Sequence, residues 1–316
     1  MSIIMILNKR HWSKTMEIQK QILLFFSGIH NSFLNTLGVG ITVFGENFIL
    51  IAISVFIYWN VRKRDGFVMV MSLLNSLTIM GVAKAIIRFP RPWMVIDNLD
   101  TVRQNTATGY SFPSGHTTGA ASAYSSIAVL FRKRWLSILC AVMILLVGLS
   151  RMYLCVHWPM DVVCGLLIGC GVTFLLGSLF GKLYDNKDLS IRLMAILGVL
   201  FTIVYVVLAI LLDAGKVDAL SFEDLSITFA TYGGLAIGFA IERKFCDYTI
   251  EKGMWGRKIL RYFAGMTMVV VIMYGIKIIF NALGCYNMVI RALRYFLIGL
   301  WGGIYPLIGK KMHLFD

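Results

Sequence analysis

The sequence predicts an all-α, polytopic transmembrane bundle, and three observations carry that prediction. Of its 316 residues 58% are hydrophobic and only 15% charged, too little polar surface to coat a soluble globule. The apolar residues fall in runs that approach the roughly 20 residues a bilayer demands of a helix. Lysines and arginines gather in the short gaps between those runs, as they do in the cytoplasmic loops of membrane proteins. The net charge of +14 is therefore a property of loops, and no nucleic-acid partner is expected. The six cysteines, Cys140, Cys155, Cys164, Cys170, Cys246 and Cys285, fall in or beside apolar runs without ligand spacing. They are expected to be buried thiols, neither a disulfide framework nor a metal site.

Taken in order, the first residues include Lys9, Arg10 and Lys14 but lack the apolar core and small-residue cleavage site of a signal peptide. From about Met16 to Gly38, Ile18, Ile22, Leu23, Phe25, Phe26, Ile29, Phe33 and Leu34 recur at helical spacing among Glu17, Lys20, His30 and Asn31. That pattern predicts an amphipathic helix on the membrane surface, or one packed against the bundle. A first span is expected over about Gly40–Asn60, with Glu46 near one end in a structural role and the basic VRKRD loop behind it. A second, about Gly66–Ile87, runs into KAIIRFPRP. If the helix continues there, Lys84, Arg88 and Arg91 share one face and Pro92 ends it. Such a cluster is either snorkelling to headgroups or seating an anion.

The loop Trp93–Tyr110, with Asp97, Asp100 and Arg103, is expected to shape access rather than to catalyse. Pro113, Ser114, Gly115 and His116 then open a span that reaches Phe131. A helix N-terminus offers free N–H groups and the positive dipole end, and a small Ser-Gly pair lets an anion approach that backbone. Ser114 and Gly115 are thus candidate phosphate donors, and His116 is placed to exchange a proton with an ester oxygen. After Arg132–Arg134, a span over about Leu136–Ser150 ends at Arg151. His157 and Asp161 stand four residues apart where a helix begins near Pro159, so the carboxylate can take one imidazole N–H and leave the other nitrogen nucleophilic. The span Val162–Gly181 follows. With basic loops inside, all three motifs emerge on the extracytoplasmic face.

These stretches resemble the signature of the type 2 phosphatidic acid phosphatase (PAP2) superfamily. Its pattern is a lysine, six residues, then Arg-Pro; later Pro-Ser-Gly-His; later Ser-Arg, five residues, His, three residues, Asp. Here those are Lys84, Arg91 and Pro92, then Pro113 to His116, then Ser150, Arg151, His157 and Asp161, with no departure. The superfamily includes undecaprenyl-diphosphate phosphatases, glucose-6-phosphatase, sphingosine-phosphate phosphatases and vanadium haloperoxidases. The resemblance implies that His157 attacks phosphorus to form a phosphohistidine and that Asp161 orients its ring. It further implies that Lys84, Arg91, Arg151, Ser114 and the Gly115 N–H hold the phosphate oxygens, and that His116 protonates the leaving group and later activates water. No metal and no cofactor are implied. Arg88 lies outside the pattern and is given only a supporting role.

Four further spans are expected near Met194–Leu212, Leu225–Ile241, Tyr262–Phe280 and Ile290–Ile308, nine in all, with the N-terminus outside and the C-terminus inside. Tyr262, Tyr274 and Trp301 read as interface or packing aromatics. The organisation expected is an N-terminal segment over 1–38, a catalytic core over 39–186 and additional helices over 187–316, which leaves an oligomer contact open. The function expected is a membrane phosphatase of a lipid phosphate monoester or diphosphate, in a bacterial cell membrane with the site outside. The alternatives are a phospholipid-binding or transport protein on the same fold, and a phosphatase of a soluble ester.

Overall fold

The computed structural model of the chain describes residues 9–250 and 255–315. The first eight residues, on which the reading of no signal peptide partly rests, and part of the basic stretch Glu242–Lys258 lie outside the described residues.

Eleven α-helices and no strands are found among the described residues. They are α1 (Lys9–Gly28), α2 (Ser32–Val43), α3 (Asn47–Asn60), α4 (Lys63–Ile87), α5 (Gly115–Phe131), α6 (Arg134–Tyr153), α7 (Pro159–Asp185), α8 (Lys187–Asp213), α9 (Ala219–Phe245), α10 (Trp255–Ala282) and α11 (Met288–Lys311). Seven described helices are long and apolar enough to cross a membrane, or eight spans if α1 and α2 make one broken span, against the nine expected. The shortfall has a local cause. α3 is only 14 residues and α5 only 17. At about 1.5 Å per residue they reach roughly 21 and 25 Å, short of a core about 30 Å thick. α3 starts late because the chain turns at Phe44–Glu46, so the expected span over 40–60 is the end of α2 plus α3.

The chain forms two compact units, one made of the residues up to Ile51 with Asn75–Gly177, the other of Ala52–Leu74 with Ser178 onward. In the first, the helix expected over 16–38 breaks, and α1 and α2 meet at a bend of 120°. The Asn31 side chain causes it locally, accepting from the Leu34 N–H at 2.9 Å to cap α2. One face of α1 packs inward: Leu23 is fully buried with Ile96, Leu99, Cys155 and Trp158. Ile18, Phe25 and Phe33 stay exposed, as lipid-facing residues do. α5 is lined by small residues, and Ala120, Ala121, Ala123 and Ser122 are wholly buried. α7 meets it with glycines one turn apart, for a Cβ on Gly165 would lie 2.8 Å from the Ser114 carbonyl oxygen and one on Gly169 2.4 Å from that of Thr118. The two backbones touch with no side chain between them, the small-residue packing on which membrane helices rely.

The second unit uses the same device. A Cβ on Gly234 of α9 would lie 2.0 Å from the Phe296 carbonyl oxygen of α11, and one on Gly299 of α11 2.2 Å from that of Thr231. A buried ion pair joins Lys63 to Glu242 at 2.9 Å, with Asp247 at 3.0 Å on the same ammonium. Of the three aromatics, Tyr262 donates to the Ala52 carbonyl and Trp301 to that of Gly265, while Tyr274 is exposed. The cysteines are not uniformly buried: Cys140 and Cys155 are, but Cys285 lies exposed just beyond α10, on the turn before α11.

Candidate active site

The candidate residues lie at one end of the first unit, where α4 ends, α5 and α7 begin and α6 ends. α4 does not continue through its basic motif. It stops at Ile87, and Arg88 takes a left-handed conformation with φ 51°. Arg88 is exposed and turns its Nε back to the Ala85 carbonyl at 3.0 Å. The expected face of three cations is therefore not formed, because the reversal at Arg88 separates Lys84 on the last helical turn from Arg91 on extended backbone. Lys84 and Arg91 are buried. Pro92 opens a short 3-10 turn instead of ending the helix.

Arg91 reaches the centre of the site. Its Nε donates to the Gly109 carbonyl at 3.0 Å, its Nη2 to the Thr108 carbonyl, and its Nη1 to the Val156 carbonyl at 2.9 Å. The same Nη1 lies 2.9 Å from Nε2 of His157. On the other side of that ring, Nδ1 faces Asp161 Oδ2 at 3.2 Å. The two contacts select a neutral tautomer with the proton on Nδ1, because Arg91 can only donate and Nε2 must accept. Burial first, and then the charges of Arg91, Arg151 and Lys84, hold the His157 pKa well below its ordinary value. His157 is thus a neutral imidazole whose Nε2 lone pair points at a guanidinium.

Asp161 is wholly buried in the first turn of α7. Its Oδ2 accepts from Ser111 Oγ at 2.5 Å and from the Trp158 N–H at 2.8 Å besides facing the imidazole. Trp158 in turn donates its indole N–H to the Pro90 carbonyl at 2.9 Å, which ties the third motif to the first. The second motif is tied to the third by its backbone, since the Ser114 N–H donates to the Asp161 carbonyl at 3.0 Å. Ser114 caps α5, its Oγ accepting from the Thr117 N–H at 3.4 Å and also from the Thr117 hydroxyl at 3.0 Å. At Gly115 a Cβ would meet only the Met80 side chain, its methyl at 3.4 Å and its sulfur at 3.9 Å, ordinary contacts. Protein packing therefore does not demand a glycine there.

Arg151 is buried, with Nη1 donating to Thr42 Oγ1 at 2.9 Å and Nε left without a partner. Asp161 Oδ1 and Arg103 Nη1 are also buried and unpartnered. Buried donors such as the two arginine nitrogens, and a buried acceptor such as Asp161 Oδ1, are costly to leave without partners. His116, in the first turn of α5, is half-buried. The backbone of Gly45 lies against it, where a Cβ would come 3.2 Å from the His116 carbonyl oxygen.

The structure so brings His157, Asp161 and Arg91 into direct contact, joins Ser114 to Asp161 through backbone, and sets Lys84, Arg151 and His116 close enough for their charges to act on His157. Sequence reasoning missed Ser111, Thr42 and the carbonyls of Thr108 and Gly109. No spacing marks a lone hydroxyl or a loop carbonyl; only folding brings them to the charges they serve.

The profile of the PAP2 superfamily matches residues 65–185, and that of the transmembrane extension of PAP2 superfamily phosphatases matches residues 226–316. An undecaprenyl-diphosphatase of Sulfolobus acidocaldarius is 31% identical over 147 residues, 45% of this chain and 68% of that protein. The undecaprenyl-diphosphatase BcrC of Bacillus subtilis is 31% identical over 173 residues, 52% of this chain and 84% of that protein. Among solved structures, a transmembrane PAP2-type phosphatidylglycerolphosphate phosphatase of Bacillus subtilis is similar at a TM-score of 0.46 and 26% identity, over 54% of this chain and 87% of that one.

Proposed function

We propose, for a chain that belongs to the PAP2 superfamily and is a membrane lipid phosphatase, a metal-free mechanism through a phosphohistidine. The observation that carries it is the His157 ring, held at Nδ1 by a buried carboxylate and presenting Nε2 to the arginine cluster. Arriving phosphate displaces the Arg91 Nη1 from Nε2 and takes it as its own donor. Nε2 attacks phosphorus, the bond to the leaving oxygen breaks, and His116 gives that oxygen a proton. Water then attacks the phosphohistidine, giving its proton to His116, and the P–N bond breaks to release inorganic phosphate. Asp161 favours the imidazolium that forms as Nε2 becomes bonded to phosphorus.

Lys84, Arg91, Arg151, Ser114 and the Gly115 N–H hold the non-bridging oxygens, where charge builds in the transition state. These fixed cations take the place that a metal ion fills in other phosphoryl-transfer sites. In this reading residues 39–186 make the catalytic core, and residues 187–316 add helices to it. Basic Arg62–Arg64 and Arg132–Arg134 lie at the ends of α4 and α5 opposite the site, which supports an extracytoplasmic site in a bacterial cell membrane.

The test is phosphate release by the purified protein in detergent with EDTA, from a prenyl diphosphate, phosphatidic acid and phosphatidylglycerol phosphate, beside His157→Ala. Turnover is expected to survive chelation and to fall by at least about a thousandfold in the variant, the scale of losing a nucleophile. Activity that EDTA abolishes, or that His157→Ala retains, overturns the mechanism. Folded protein that binds vanadate but releases nothing favours transport.

A further inference from the structure

Arg103 belongs to none of the three motifs, yet its position ties it to the leaving-group side of the site. It sits in the loop after the first motif, in a left-handed conformation with φ 64° that a residue other than glycine adopts only where its surroundings impose it. The loop is pinned on both sides of it: the Val102 N–H donates to the Leu154 carbonyl at 3.2 Å, and the carbonyls of Thr108 and Gly109 hold Arg91. Its Nη2 contacts Glu46 Oε1 at 2.5 Å, and Glu46 follows the glycine packed on the His116 backbone. Through Glu46 the Arg103 guanidinium is anchored to the residue that follows Gly45, whose backbone packs on His116. The other terminal nitrogen, Nη1, is buried and unpartnered.

We infer that Arg103 is a specificity-determining residue for lipid diphosphates, its free Nη1 receiving the phosphoryl group that departs with the lipid. The inference rests on the phosphatase reading above. When His157 Nε2 attacks the terminal phosphorus of a lipid diphosphate, the bridging P–O bond breaks. The leaving group is then a lipid monophosphate that takes its proton from His116 on the former bridging oxygen and keeps the negative charge of its other phosphate oxygens, which Arg103 can hold. A monoester leaves as an alcohol, which has no such charge for Arg103 to hold. Lys84, Arg91 and Arg151 serve the attacked phosphate in both cases, so only the diphosphate draws on a fourth cation. An arginine suits that task because its planar fork can keep one N–H on Glu46 and turn another to a phosphate oxygen.

The experiment compares kcat/KM for a prenyl diphosphate and the prenyl monophosphate of the same chain length, in wild type, Arg103→Gln and Arg103→Lys. Inhibition by inorganic pyrophosphate and by inorganic phosphate is measured beside it. Arg103→Gln is expected to lose about 10- to 100-fold more on the diphosphate than on the monophosphate, the scale of a charge-assisted phosphate contact, and to weaken pyrophosphate more than phosphate. Arg103→Lys keeps the charge without the fork and is expected to recover part of the difference. Equal losses on both lipids in the two variants, or undiminished turnover of the diphosphate, overturn the inference and leave the phosphatase standing. A wild-type protein that hydrolyses neither prenyl lipid overturns the inference, and one that also leaves phosphatidic acid and phosphatidylglycerol phosphate intact overturns both.

Discussion

At the scale of single residues, the site is a problem of keeping one imidazole neutral among positive charges. Protonating His157 would bury a further cation beside Arg91, Arg151 and Lys84, and that cost is what lowers its pKa. The sign follows. Below the ordinary histidine value, near pH 6.5, the unfolded chain takes up a proton that the folded chain refuses. The contribution of His157 to stability is therefore whole above about pH 6.5 and is lost progressively as the pH falls below it. In a protein labelled with 15N-histidine, with His157 assigned from His157→Gln, the ring is expected to keep the Nδ1-protonated neutral pattern at pH 6. A titration midpoint near 6.5 would mean that the arginines do not govern it. Ser111 belongs to the same scale. Its hydroxyl joins the Trp158 N–H on Oδ2 of Asp161, so the carboxylate that orients the ring is itself fixed in part by a donor no motif contains.

At the scale of elements, the placing of α5 against α7 decides whether three motifs become one site. The glycines at 165 and 169 let the two backbones touch, and through that contact the first turn of α5 is set beside Asp161. Gly169→Ala puts a methyl carbon 2.4 Å from the Thr118 carbonyl oxygen, where no flexible side chain can give way. Overpacking of this kind costs about 1–3 kcal/mol. Gly171, two residues on in the same helix, has open space where its Cβ would be. Thermal unfolding in detergent is expected to show a fall of several degrees and a lower kcat for Gly169→Ala, and no loss for Gly171→Ala. Similar behaviour of the two variants would mean that the helix contact does not set the site.

At the scale of the molecule, each unit solves the problem of holding apolar helices together in lipid, where burial of apolar area gives little advantage. Both do it with close backbone contact at small residues and with buried polar contacts. In the second unit the Lys63–Glu242 pair, with Asp247, holds residues far apart in sequence. Removing Lys63 would strand the buried Glu242 carboxylate. The first unit also carries a test of how the chain lies in the membrane. Asp97, in the exposed loop near the site, and Lys133, at the far end of α5, are placed at opposite ends of the unit's helices. In a chain otherwise free of cysteine, a membrane-impermeant maleimide applied to whole cells is expected to label Asp97→Cys and spare Lys133→Cys. The reverse pattern would put the site on the cytoplasmic face.

Composition and spacing were enough for the class, the helical runs and the motif residues, because hydrophobicity and local spacing are properties of neighbours along the chain. A His and an Asp four apart at a helix start must share a side, and Pro159 marks that start. The reversal at Arg88, the break between α1 and α2 and the short α3 escaped the same reasoning, since a hydropathy run does not reveal where a side chain turns to cap its own backbone. Ser111, Thr42 and the Glu46–Arg103 pair lie tens of residues from the groups they serve. Their partners were chosen by packing, through the glycine contacts and the buried charges, and only the tertiary structure could bring them together.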